Sequence, residues 1–337
     1  MSTRSGVPDG IGRLANVTGL HPSELAGRLG RIFARDFPWS APAWPVGLER
    51  PAPDRRLGVD YDTSWARAYP ARLARAVMTD NLTRPLMHAL ATPTVRGEEV
   101  LDQCVSPTIF VANHSSHIDT GLLVSILPAR LRHRTVVAAA ADHFFDRRWK
   151  AHLWAFALGA VPIERHRVNR RSAALATDLV DDGWNLIIFP EGGRTRDGWL
   201  QPFRGGAAYV AAHTGRPVVP AYISGTREIL AKGSSRLRRN PVTVTFGRPL
   251  WVEPGEGSRH FERRIEEAVA SLADEAASDF FSARRRAYSA KTPSQRGPDA
   301  SPWRRAWALA PRVPAQPGGN NHAYPPGMPH TNLNTPR

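Results

Sequence analysis

Residues 111–123, VANHSSHIDTGLL, place a polar turn between an apolar run and a helix-like pattern. The run in front of Asn113 is rich in β-branched and aromatic residues, as in a short buried strand, and the apolar residues from Ile118 onward suit a helix. His114 would then lie in the turn after the strand, and Asp119 in the first turn of the helix. The stretch predicts a strand–turn–helix unit with polar side chains at its turn.

The same alternation continues along the middle of the chain. Short apolar runs alternate with helix-like segments, which predicts an α/β domain with a mixed, largely parallel sheet flanked by helices. The predicted strands are TIFVAN (108–113), TVVAAAA (135–141), GAVPIE (159–164), WNLIIFP (184–190), PVVPAYIS (217–224) and PVTVTFG (241–247). Residues 258–288 keep a helical spacing of apolar residues, so we expect one long amphipathic helix to close the domain.

Composition divides the chain into three predicted regions. Residues 1–79 hold a Pro- and Arg-rich arm with scattered Trp and Phe, then the start of a helical region, and are a candidate for membrane-surface contact. Residues 80–290 hold the α/β domain, with a helix break expected at Pro85. Residues 291–337 are rich in Pro, Gly and Asn and have almost no periodicity, so a disordered basic tail is expected.

Charge and composition narrow the classes of function. The net charge of +15 over 337 residues favours anionic partners, namely nucleic acid, phospholipid headgroups or phosphorylated small molecules. Cys104 is the single cysteine, which excludes an intramolecular disulfide and a cysteine-based zinc site. No apolar run reaches the ~18 residues that a spanning helix needs, and the N-terminus lacks the apolar core of a signal peptide. We therefore expect a cytoplasmic protein that meets membranes from their surface.

The polar turn offers two kinds of chemistry, and metal binding is the first. His114, His117 and Asp119 could together bind a metal ion. Such a site would need further histidines or carboxylates at later strand ends, whereas those ends carry arginines and prolines, as in VPIERHR and FPEGGRTR. Cationic side chains around a metal cation are electrostatically unfavourable. We therefore expect no metal ion.

The second kind is acid–base catalysis. Residues five apart on one helix point about 140° away from each other, so His114 and Asp119 meet only if the histidine lies before the helix. A carboxylate on one imidazole nitrogen raises the basicity of the other, which makes a general base. Ser115 or Ser116 would cap the helix, and Asp119 could also be no more than a helix cap. With 12 histidines in the chain, one His-x4-Asp match is weak support.

Three further motifs add the support that the first one lacks. In chain order the four motifs are NHSSHID (113–119), GAVPIER (159–165), FPEGGRTR (189–196) and VVPAY (218–222). Together they resemble the motifs of the glycerolipid acyltransferases of the lysophosphatidic acid acyltransferase type, and the resemblance covers about residues 80–270. VRGEEVL (95–101), ahead of the first motif, resembles the lead-in strand of that family.

The resemblance implies transfer of an acyl group from a thioester to a lipid hydroxyl. His114 would take the proton from the hydroxyl, and Asp119 would orient His114. Arg165 and Arg194 would bind the phosphate of the acceptor, although Arg165 could instead form a structural ion pair. The residues implied to shape the pocket are Glu191 and Gly192, with backbone amides near Gly192 and Gly193 as donors to a phosphate or an oxyanion.

The implied partners follow from that chemistry. Acyl-CoA or an acyl-carrier protein would donate the acyl group without a cofactor, and a lysophospholipid, above all 1-acylglycerol-3-phosphate, would accept it. Gly193 stands where the family usually has Thr, so glycerol-3-phosphate, another lysophospholipid or a lyso-aminolipid stay as alternative acceptors, and a non-catalytic membrane-lipid-binding protein is a further alternative. Nucleic acid is not expected, since the sequence has no recognised nucleic-acid module. The expected location is peripheral, on the anionic inner face of the plasma membrane.

Overall fold

One seven-stranded sheet organises the fold in a computed structural model of the chain. The structure describes residues 57–165, 170–195, 197–232, 236–297, 299–300 and 304–305, so most of the predicted arm and the later part of the predicted tail lie outside it. The strands, in chain order, are β1 (Thr94–Arg96), β2 (Ile109–Ala112), β3 (Thr135–Ala140), β4 (Ala160–Ile163), β5 (Asn185–Ile188), β6 (Val218–Ser224) and β7 (Thr243–Phe246).

The strands lie in the order β1-β7-β6-β2-β5-β3-β4, and all neighbours are parallel except the antiparallel pair β6–β7. Strand β2 is central, with Phe110 in register with Ile187 on one side and Val219 on the other. Every residue of β2 is buried, as expected for a parallel strand that is covered on both faces. The predicted mixed, largely parallel sheet is confirmed, and all six predicted runs form strands.

Helices cover both faces of the sheet. On one face, the buried side chains of Leu122 and Leu123 pack with Phe110 and Ile187. On the other face, Phe261 packs with the alternate strand residues such as Ile109 and Leu186. The α-helices of the described residues, in chain order, are α1 (Tyr69–Met78), α2 (Arg84–Ala91), α3 (Glu98–Gln103), α4 (Ile118–Ile126), α5 (Ala129–Arg132), α6 (Ala141–Phe144), α7 (Arg148–Leu158), α8 (Arg170–Asp181), α9 (Gly206–Thr214), α10 (Thr226–Ile229), α11 (Ser258–Ala277) and α12 (Phe280–Tyr288).

The predicted single helix over 258–288 is wrong, because the chain forms two helices there. Helix α11 ends at Ala277, and Ser278 leaves the helical region of backbone space with ψ of −106°. Asp279 then starts α12 as its N-cap, since its side chain accepts the backbone N–H of Ser282. The apolar spacing continues across the break, so periodicity alone does not reveal it.

The lead-in segment is also only partly a strand. Strand β1 ends at Arg96, and α3 begins two residues later, at Glu98. Gly97 makes the change of direction with φ of +75°, and a Cβ there would lie 2.4 Å from the backbone oxygen of Phe246. Only glycine fits this combination of positive φ and close backbone approach.

The helical region near the start of the described chain has its break before Pro85. A π-helical turn over Thr79–Thr83 separates α1 from α2, and Pro85 lies in the first turn of α2, where its missing N–H group costs nothing. The described residues contain no helix with the length and apolar character that crossing a bilayer would require. The predicted boundary between residues 79 and 80 stays a prediction.

Candidate functional site

The predicted catalytic and substrate-binding residues lie at the carboxyl edge of the central strands. His114 follows β2, Arg165 follows β4, and Glu191 opens the turn after β5. The carboxyl ends of parallel strands lie at one edge of a sheet, where α/β proteins commonly bind their ligands. The strand order therefore gathers residues that are more than 70 positions apart in sequence.

His114 and Asp119 form the predicted pair. Nδ1 of His114 lies 2.9 Å from Oδ2 of Asp119, which is fully buried, while the side chain of His114 is 15% exposed. Since a carboxylate only accepts hydrogen bonds, Nδ1 of the neutral ring carries the proton and Nε2 carries the lone pair. The ring also stacks on Phe189, with centroids 4.3 Å apart. The arrangement fixes the ring and leaves Nε2 as the basic nitrogen.

No side chain caps the start of α4, and Asp119 in its first turn instead holds the polar turn in front of the helix. Its Oδ2 accepts the backbone N–H groups of Ser115 at 2.7 Å and of Ser116 at 2.8 Å. The hydroxyl of Ser116 instead donates to the backbone oxygen of Leu230, and it accepts only a long, 3.4 Å bond from the N–H of Ile118. The predicted serine cap is therefore wrong. The carboxylate both satisfies the free amides of the turn and orients His114.

Glu191 ties the turn after β5 to the histidine turn. Its Oε1 accepts the N–H of His114 at 2.7 Å, and its Oε2 accepts the N–H of Gln201 at 2.9 Å. Burial raises the pKa of Glu191 to about 8, while these two N–H groups act in the opposite direction. The N–H of Thr195 also donates to the backbone oxygen of His114. Both oxygens of Glu191 thus hold backbone in place, which fits a role in shaping the pocket.

Gly192 closes the turn after β5. Its N–H donates to the backbone oxygen of Phe189 at 3.1 Å, so this amide is engaged within the turn, and the binding of a phosphate or an oxyanion by amides near Gly192 and Gly193 stays a prediction. Its φ is +68°, and a Cβ would lie 3.0 Å from Nε of Arg204. At Gly193, a Cβ would come within 3.6 Å of Nη1 of Arg165. The two glycines thus keep the turn small beside two guanidinium groups.

Arg165 is held by a carboxylate that sequence reasoning missed. Asp142, in α6 just after β3, accepts from Nη2 of Arg165 at 2.6 Å and from Nε at 3.2 Å. Nη1 of Arg165 makes a longer contact, 3.4 Å, to the backbone oxygen of Gly192. The predicted alternative was an ion pair with a core carboxylate, but the side chain of Asp142 is 46% exposed. Asp142 therefore holds Arg165 at the rim of the site.

The charge of Arg194 interacts with Asp119 and with His117. Burial lowers the pKa of Arg194, and the charge of Asp119 acts against that decrease. Partial burial, followed by the charge of Arg194, lowers the pKa of His117 well below its usual range. The rings of His117 and His143 are nearly parallel, with centroids 6.2 Å apart. The site therefore combines one oriented histidine, a second histidine that stays neutral, and two arginines.

Asn113 is a further residue whose role the sequence did not show. Its Oδ1 accepts the N–H of Ile223 at 2.7 Å, and its Nδ2 donates to the backbone oxygen of Ile223 at 2.9 Å. This buried amide joins the end of β2 to β6. An amide at the end of a buried apolar strand is the signal that could have indicated it. Within the described ranges, no three His, Cys, Asp or Glu side chains gather in a way that could hold a metal ion.

Comparisons with known proteins agree with this geometry. Residues 92–224 match the family model described as Acyltransferase. All four motifs lie within these residues, so the match agrees with the resemblance that the motifs predicted.

Two similar proteins are both named as 1-acyl-sn-glycerol-3-phosphate acyltransferases. A 1-acyl-sn-glycerol-3-phosphate acyltransferase of Cocos nucifera is 29% identical over 198 residues, covering 55% of this chain and 59% of that protein. A chloroplastic protein of the same name from Brassica napus is 32% identical over 165 residues, covering 47% of this chain and 44% of that protein. The chain spans about half the length of the curated relatives it matches.

A solved structure shares the fold. The crystal structure of the 1-acyl-sn-glycerophosphate acyltransferase PlsC from Thermotoga maritima matches with a TM-score of 0.51 and 22% sequence identity. The match covers 62% of this chain and 83% of that chain. At this level of identity the comparison shows a common architecture.

Proposed function

We propose that this protein transfers a fatty acyl group from a thioester, acyl-CoA or an acyl-carrier protein, to the free hydroxyl of 1-acylglycerol-3-phosphate, giving phosphatidic acid. The observation that carries the proposal is the 2.9 Å pair of His114 and Asp119 at the carboxyl edge of the sheet. Both residues lie within the 92–224 match to the acyltransferase family. The names of the similar proteins support the choice of acceptor.

In this proposal His114 is the general base. Its Nε2 removes the proton from the acceptor hydroxyl while the oxygen attacks the carbonyl carbon of the thioester. The new C–O bond forms, the C–S bond breaks, and the leaving thiolate takes the proton back from Nε2. Asp119 stabilises the imidazolium that exists between these two transfers. The transfer is direct and forms no acyl-enzyme.

The two arginines are proposed to bind the phosphate of the acceptor. Arg165 reaches over the small turn at Gly192 and Gly193, and its ion pair with Asp142 is exposed enough for a phosphate dianion to compete. Arg194 adds a second positive charge close to Asp119. Phosphate thus has two guanidinium partners beside the base.

An anionic membrane surface is the proposed source of the lipid acceptor. Helix α1 exposes Tyr69, Leu73 and Val77 at intervals of four residues, which places them on one face. Helix α7 packs beside α1 and exposes Trp149 and Leu153. Apolar and aromatic side chains on a strongly basic protein suit the boundary between headgroups and acyl chains. A peripheral position on the cytoplasmic side is part of the same proposal.

The test is transfer of a labelled acyl group from acyl-CoA and from acyl-carrier protein to a panel of acceptors. The panel contains lysophosphatidate, glycerol-3-phosphate and a phosphate-free monoacylglycerol. We expect transfer to lysophosphatidate, and a loss of at least about 100-fold in His114→Ala. His213→Ala, which changes an exposed histidine on α9, is the matched control and should keep its activity.

The other outcomes separate the alternatives. Transfer only to glycerol-3-phosphate would keep the chemistry and change the acceptor, which Gly193 in the phosphate turn would help to explain. Transfer only to the phosphate-free acceptor would keep the role of His114 and overturn the roles of Arg165 and Arg194. A folded protein that transfers from neither donor would be a lipid-binding protein with an acyltransferase fold.

A further inference from the structure

The chain after α12 returns to the loop that carries Arg194. The backbone N–H of Leu200 donates to the backbone oxygen of Gln295 at 3.0 Å. Nε1 of Trp199 donates to the backbone oxygen of Arg305 at 2.9 Å. We call the described residues from Lys291 to Arg305 the C-terminal strap. These residues pack on the domain, although the sequence predicted disorder from residue 291 onward.

Side chains add to these backbone contacts. Nε of Arg305 donates to Oδ2 of Asp197 at 2.6 Å, and both side chains are largely sheltered, with 21% and 14% exposed. Gly297 lies against the indole of Trp199, where a Cβ would come within 2.5 Å of the ring. Arg296 pairs with Glu266 of α11 at 2.6 Å, which anchors the strap to the body of the domain. The C-terminal strap is therefore attached to the loop at Asp197 and Trp199 and to α11 at Glu266.

The contacted loop is part of the candidate site. On one side of it, the N–H of Thr195 donates to the backbone oxygen of His114. On the other side, the N–H of Gln201 donates to Glu191. The strap contacts Asp197, Trp199 and Leu200, which lie between these two attachment points. The described segment that follows Arg194 is thus held by the histidine turn, by Glu191 and by the strap.

We propose that the C-terminal strap positions Arg194 for the phosphate of the acyl acceptor, with Arg305 as the main positioning residue. The inference rests on the proposed function. A binding side chain on a supported loop loses less conformational freedom when its ligand binds, so support of the loop increases affinity. In the proposed arrangement Arg305 does not contact the substrate and acts through Asp197 and Trp199.

Steady-state kinetics of Arg305→Ala test the proposal. We expect KM for lysophosphatidate to rise by about tenfold while kcat changes by less than about twofold, because phosphate binding is used equally in the ground state and the transition state. Arg305→Lys keeps the charge and should recover most of the loss. Arg285→Ala removes an exposed arginine of α12 and is the matched control, with unchanged kinetics expected.

Hydrogen exchange supplies a second readout that does not depend on activity. The amides of residues 197–201 should exchange faster in Arg305→Ala and at the wild-type rate in Arg305→Lys. Unchanged exchange, or an unchanged KM, would overturn the proposal. A fall in kcat of about tenfold with unchanged KM would also overturn the proposal, because the strap would then stabilise the fold in general and not the binding of phosphate. If the wild-type protein transfers no acyl group at all, the proposed function fails, and the role in binding phosphate fails with it.

Discussion

Asp119 accepts three hydrogen bonds through a single oxygen, from Nδ1 of His114 and from the amides of Ser115 and Ser116. The bonds from the two amides hold the turn, and the bond from the imidazole keeps its proton on Nδ1. A carboxylate in this position links the local fold to the proposed chemistry, because the conformation that holds the turn before α4 is the one that orients the base. Asp119 is not a helix cap, the alternative that the sequence left open, because the two amides it binds precede α4.

Replacement of Asp119 by Asn is therefore expected to affect activity far more than structure. The amide oxygen can take the place of Oδ2 and accept the same three hydrogen bonds, but the side chain no longer carries the negative charge that stabilises the imidazolium of His114. We expect kcat to fall by about 100-fold or more with a modest change in KM for the acceptor. Measurement of both constants, with a thermal melt to check folding, tests this. Activity within about fivefold of wild type would remove Asp119 from the proposed mechanism.

At the scale of elements, the sequence predicted the positions of the strands and their largely parallel arrangement better than the side-chain contacts between neighbouring strands. Buried parallel strands are continuous apolar runs, so all six appeared directly in the sequence. The break before Asp279 stayed hidden, because apolar spacing continues from α11 into α12. The contact of Asp142 with Arg165 could not be assigned from sequence, because it depends on which strands are neighbours. His114 and Asp119 could be assigned, because both belong to one short turn.

Helix α1 gives a prediction about membrane attachment. Leu73→Glu with Val77→Glu places two negative charges on its exposed apolar face, so we expect binding to anionic vesicles to fall by about tenfold or more. Co-sedimentation with vesicles measures the binding. Phe280→Glu with Phe281→Glu changes the net charge equally, on the exposed part of α12, and is the matched control. An equal loss in both variants would mean that net charge, and not this face, attaches the protein.

The whole molecule carries a net charge of +15, which acts over a longer distance than any one contact. The sequence predicted anionic partners from this charge, and the class of partner became clear only with the four motifs. The order of the strands then brought those motifs to one edge of the sheet. Strand order depends on tertiary contacts between distant segments, which is the reason that composition and periodicity could not supply it.

The long-range charge predicts salt-sensitive membrane binding. Charges on a surface are screened over about 10 Å at 0.1 M salt and over about 3 Å at 1 M. We therefore expect binding to anionic vesicles to weaken progressively over this range, and binding to neutral vesicles to be weak throughout. Flotation of the protein with vesicles at stepwise salt concentrations gives the measurement. Retention on anionic vesicles at 1 M salt would show that apolar insertion dominates attachment.

The C-terminal strap also has a consequence for the order in which the protein is made. Trp199 and Arg305 are 106 positions apart, and a ribosome adds residues from the N-terminus at roughly 5–20 per second. The nascent chain therefore contains His114, Asp119 and the loop of Arg194 several seconds before it contains the residues that support this loop. A truncated translation product that stops before Gln295 would carry all four motifs and still lack that support.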